Sequence, residues 1–82
     1  MKILEVFMSI NNMKQGTLVY DEDSDRMDIR FDSGDCYGGL HCGETMEVLI
    51  DGRWTPTRIE KGGDWYLIGI KTGSLVGLHV RK

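Results

Sequence analysis

The sequence has a single proline, two cysteines, two histidines and no long apolar run. Each shortage excludes something. Two cysteines are too few for the disulfide framework that holds small secreted domains together. The longest apolar stretch, Trp65 to Ile70, falls far short of the roughly 20 residues a membrane-spanning helix needs. Positive charge is also scarce: 13 Asp and Glu stand against 10 Lys and Arg, a net charge of -3, so the overall field repels phosphate backbones. There is no internal repeat or low-complexity tract, and the N-terminus lacks a signal-peptide pattern with a small-residue cleavage site. The expectation is a cytoplasmic protein with reduced thiols. What is present is an ordinary globular composition, 40% apolar, in a chain of 82 residues with room for one small domain.

The apolar pattern changes period once. Ile3, Val6, Phe7, Ile10 and Met13 recur at helical spacing, which predicts a short amphipathic helix over residues 1–14. A second Met-Lys pair, Met13 and Lys14, marks another candidate start of the functional chain. From Gly16 the period becomes two. "TLVY" reads as a strand, Met27, Ile29 and Phe31 alternate with Asp28, Arg30 and Asp32, and Met46, Val48 and Ile50 repeat the pattern. Asp51-Gly52 is a strong hairpin turn leading into "RWTPTRIE", where Pro56 calls for an exposed edge or a bulge. "WYLIGIK" is apolar on both parities and reads as a strand covered on both faces, and Leu75 to Val80 reads as another. Glycines 69 and 77 fall inside these strand patterns, as at the corners of a closed barrel. The expected fold is mainly β: an SH3-like barrel of five to six antiparallel strands over residues 15–82, with a helical appendage over 1–14.

Chemistry concentrates in "CYGGLHCGE", residues 36–44. A zinc site would draw on Cys36, His41, Cys42 and distant His79, but C-x4-H-C lacks the C-x2-C knuckle, and adjacent residues of an extended segment point to opposite sides. A Cys-His nucleophile with Glu44 orienting the base has its parts but sits in an acidic neighbourhood unsuited to a reactive thiolate. The bland alternative makes both cysteines small core fillers. Gly38, Gly39 and Gly43 form no phosphate-binding motif. They read as positive-φ positions of a tight loop with Leu40 plugging the core. Asp21, Asp23 and Asp25 start like a calcium loop, but Arg26 stands where its glycine belongs and Asp32 where its glutamate belongs. An acidic, solvated hairpin tip is the simpler reading. No metal, cofactor or catalytic residue is expected.

Tyr37, Trp54, Trp65 and Tyr66 are many large rings for so small a core. Trp54 shares parity with Pro56 and Arg58, and Thr55, Thr57 and Ile59 take the other face, so Trp54 or Ile59 must lead inward. The three blocks "YGGLHCGE", "GRWTPTRIE" and "DWYLIGIK" resemble a family of small bacterial proteins known only as a domain of unknown function. The resemblance runs from about Met13 to Arg81. It implies a compact SH3-like β fold, often encoded near mobile or phage-derived genes, and it carries over no catalytic residue.

The expected function is therefore that of a non-enzymatic binding or adaptor module for a protein or peptide. Its candidate contact residues are Tyr37, Leu40, His41, Glu44, Trp54, Arg58 and Trp65. The alternative is a nucleic-acid-binding barrel using Arg53, Arg58, Lys61, Lys71, Arg81 and Lys82, with a Cys/His zinc site or thiol enzyme behind it.

Overall fold

Strict alternation of side chains decides where this chain is extended and which side of it is dry. A computed structural model describes residues 13–82, and these form β1 (Gln15–Asp21), β2 (Arg26–Phe31), β3 (Thr45–Ile50), β4 (Arg53–Lys61), β5 (Trp65–Leu67) and β6 (His79–Arg81). The helix expected over 1–14 lies outside the described residues, apart from Met13 and Lys14, which are not helical. In β2 the odd positions Met27, Ile29 and Phe31 are buried, as are Leu18 in β1, Met46 and Val48 in β3, and Ile59 in β4. Leu40, Leu67, Leu75 and Val80 complete the same core. Asp51 and Gly52 both take positive φ, 50° and 77°, as a two-residue turn between right-twisted strands requires.

All pairings are antiparallel, and the strand order is β2-β1-β6-β3-β4-β5. The short β6 sits in the middle: Val80 pairs with Gly16 on one side and Val48 on the other, and is fully buried. It joins the β1–β2 hairpin to the β3–β4–β5 meander. Lys14 and Lys82 extend this seam with reciprocal backbone hydrogen bonds of 3.0 Å.

Three expectations need correction. The sheet is open rather than closed by a ladder, because β2 and β5 stand at its two ends and no strand pairing joins them. The "WYLIGIK" strand stops at Leu67: Gly69 turns the chain with φ 76°, and Ile68 is exposed. The last strand likewise shrinks to three residues, and Gly77 belongs to the turn before it rather than to a strand. Pro56 meets the edge condition. Neighbouring Arg58 bonds toward β5 and Ile59 toward β3, so by alternation the Pro56 nitrogen faces the flank that β5, paired only with residues 59–61, leaves uncovered.

Candidate functional site

The "CYGGLHCGE" loop is held by its own polar groups. Asp28 in β2 anchors it, with Oδ1 accepting from the amides of Gly38 and Gly39 at 3.0 and 2.9 Å as well as from Ile29 at 2.8 Å. Positive φ at Gly38 and Gly39 lets the backbone turn onto that carboxylate, and Gly43, also at positive φ, donates its amide to the Ile59 carbonyl at 2.8 Å. The Tyr37 amide donates to the Ile29 carbonyl and the Leu40 amide to that of Met27, so the loop covers the outer edge of β2. Leu40 is fully buried, which leaves it no surface for a partner. Cys36 and Cys42 are both exposed, which corrects the core-filler reading: the loop turns both side chains away from the dry face.

Glu44 gathers what remains of the loop. Tyr37 donates its hydroxyl to Glu44, the His41 amide donates to Oε2 at 2.7 Å, and Lys82 Nζ lies 3.8 Å from Oε1. Burial pushes the Glu44 carboxyl up, but the Tyr37 hydroxyl, the His41 amide and Lys82 outweigh it and hold the group below its ordinary value. Hydrogen bonding to Glu44 raises the Tyr37 phenol. The loop thus brings Tyr37, His41 and Glu44 together, engaged with one another. Among the described residues no three His, Cys, Asp or Glu side chains converge as a metal site.

Trp54 and Arg58 lie elsewhere. Thr57 and Ile59 take the inward face of β4, so Trp54 faces out, half-buried beneath the Arg81 guanidinium at 4.5 Å from its ring centroid. Arg81 also pairs with Glu47 at 2.5 Å, and Arg58 with Glu60 at 3.0 Å. With Lys61 on Asp25 and Lys82 near Glu44, four of the candidate phosphate-binding cations already face carboxylates.

Trp65 belongs to a different place, which the sequence did not reveal. The end strands β2 and β5 meet across a cleft of about 420 Å³ whose walls include Tyr20, Met27, Trp65, Leu75 and Val76. Tyr20 and Val76 are exposed at 44% and 56% and share this one concave surface. Where the backbone ladder is missing, the Lys61–Asp25 ion pair crosses between the ends, and Tyr20 holds the Asp25 carboxylate from within the β1–β2 hairpin. Tyr20 donates to Asp25 Oδ1 at 2.5 Å, Lys61 Nζ lies 3.0 Å from Asp25 Oδ2, and the same ammonium lies 5.1 Å from the Trp65 ring centroid. The Tyr20 hydroxyl and then Lys61 lower the Asp25 pKa, and the Asp25 carboxylate raises that of Tyr20. Trp65 Nε1 is buried and has no hydrogen-bond partner among the described residues. These residues come from separated strands and turns, and only Trp65, next to the "KGGD" turn, carried a hint in the sequence.

No helix among the described residues is long and apolar enough to cross a membrane. No curated protein matches the sequence. A crystal structure of a protein from Ruminococcus gnavus, a structural genomics target, is 52% identical, covers 84% of this chain and 100% of its own, and superimposes with a TM-score of 0.79. Residues 16–82 match the family described as "Domain of unknown function (DUF5348)", and the chain belongs to that family.

Proposed function

We propose that this chain is a non-enzymatic binding module of the cytoplasm, an SH3-like curled barrel that captures a short segment of a partner protein in the cleft between β2 and β5. One observation carries the reading: Trp65, whose Nε1 is buried without an acceptor among the described residues, walls a cleft that also exposes Tyr20 and Val76. Buried donors in folded proteins are nearly always satisfied, and an orphan beside a concave, partly aromatic surface is where a ligand acceptor has most to gain. The 36–44 loop offers less, because its polar groups already serve one another. The ion pairs on Arg58, Lys61, Arg81 and Lys82 weigh against a phosphate-binding face.

Selection of a random peptide display library on the protein, followed by NMR mapping of the enriched peptides, tests the reading. Enriched peptides are expected to shift the resonances of Tyr20, Trp65 and Val76, and Val76→Lys is expected to abolish binding while Tyr37→Ala leaves it intact. Failure to enrich any peptide, or enrichment that maps to residues 36–44, overturns it.

A further inference from the structure

The gap between β2 and β5 is bridged by an exposed ion pair. An exposed ion pair such as Asp25 with Lys61 contributes about 0–1 kcal/mol, and no backbone ladder supports it. A ligand cation that replaces Lys61 on Asp25 therefore gives up little there, while Met27, Leu67 and Leu75 keep the two ends packed in one core. The charge around the cleft favours a cation in that role: Asp64 lies on its wall, and Asp21, Glu22 and Asp23 are exposed in the turn that carries Asp25. Among the described residues Lys61 is the only cation lining the cleft.

From these contacts we infer that the cleft takes a basic, extended segment of a partner protein, whose Lys or Arg displaces Lys61 from Asp25 and so lifts Lys61 off the Trp65 ring, and one of whose backbone carbonyls accepts from the Trp65 Nε1 that this movement uncovers. The inference rests on the cleft reading above. An extended or polyproline segment is required because a helix uses its own carbonyls internally, whereas extended backbone presents them to a neighbour. The apolar walls, Tyr20, Leu75 and Val76, take side chains flanking the cation.

The test uses the full chain and three synthetic decapeptides of proline and leucine, carrying two arginines, two glutamines or two glutamates. Binding is followed through the Trp65 indole N–H resonance. The arginine peptide is expected to shift it, with affinity falling as salt rises, and to bind about fivefold more tightly than the glutamine peptide, the equivalent of one exposed ion pair. Lys61→Met, which frees Asp25, is expected to tighten the arginine peptide by a similar factor. Trp65→Phe, which keeps a ring but deletes the donor and is therefore followed through the backbone amides of Tyr20 and Val76, is expected to weaken it about fivefold. Equal binding of the arginine and glutamine peptides, or no gain from Lys61→Met, overturns the basic-segment inference and leaves the cleft reading standing. If no peptide shifts the indole resonance, both fall. If that resonance instead shifts with protein concentration alone, the occupant is a second copy of this chain, and the basic-segment inference is overturned.

Discussion

Single residues carry two testable consequences. Gly16 is buried in β1 opposite Phe31, and a Cβ there would collide with the Arg30 carbonyl oxygen and come within 2.8 Å of Ile29 Cγ2 and the Phe31 Cα. Two of those atoms are backbone and cannot step aside. Gly16→Ala should therefore cost about 1–3 kcal/mol, a large share of the roughly 5–15 kcal/mol that stabilises a small domain, and urea unfolding measures it. Glu44 makes stability depend on pH. Its folded pKa lies below the ordinary value, so its contribution is complete above about pH 4.3 and is lost as the pH falls through the folded value. Glu44→Gln should destabilise the protein near neutrality and progressively less in acid. An equal cost at about pH 7 and about pH 3 would refute the assignment.

Among the elements, the 36–44 loop depends on β2 for its shape. Asp28 accepts three amides, two of them from the loop's glycines. Asp28→Ala should release the loop, with faster hydrogen exchange at Gly38 and Gly39, at a cost of about 1.5–3 kcal/mol. Unchanged exchange there would show that Leu40 alone pins the loop. The strands themselves were legible because Met27, Ile29 and Phe31, and then Met46 and Val48, alternate with polar neighbours, and because Asp51-Gly52 permits one kind of turn. The end of the chain was not. "WYLIGIK" lacks alternation, so nothing local says that Gly69 takes positive φ and ends pairing at Leu67. Asp28 was hidden for a related reason: its parity announces a solvent-facing residue, and only the returning loop gives that carboxylate its amides. Trp65 was singled out, but its cleft partners Tyr20 and Val76 lie far away in sequence.

For the whole molecule, the decisive feature is that its last strand occupies the middle of its sheet. β6 is three residues long, yet without it the β1–β2 hairpin and the β3–β4–β5 meander share no ladder. A chain cut after Leu78 should lose Val80 from the core along with both flanking sets of hydrogen bonds. It should show collapsed NMR dispersion rather than a merely lower melting temperature. Well-dispersed spectra from the shortened chain would mean that the two units fold separately. The same placement governs the order of events during synthesis. Both halves leave the ribosome while the segment that belongs between them is still inside the exit tunnel, so each emerges with one flank unpaired. The sheet can be assembled only after residues 79–81 have emerged, which makes its folding late and abrupt rather than gradual along the growing chain.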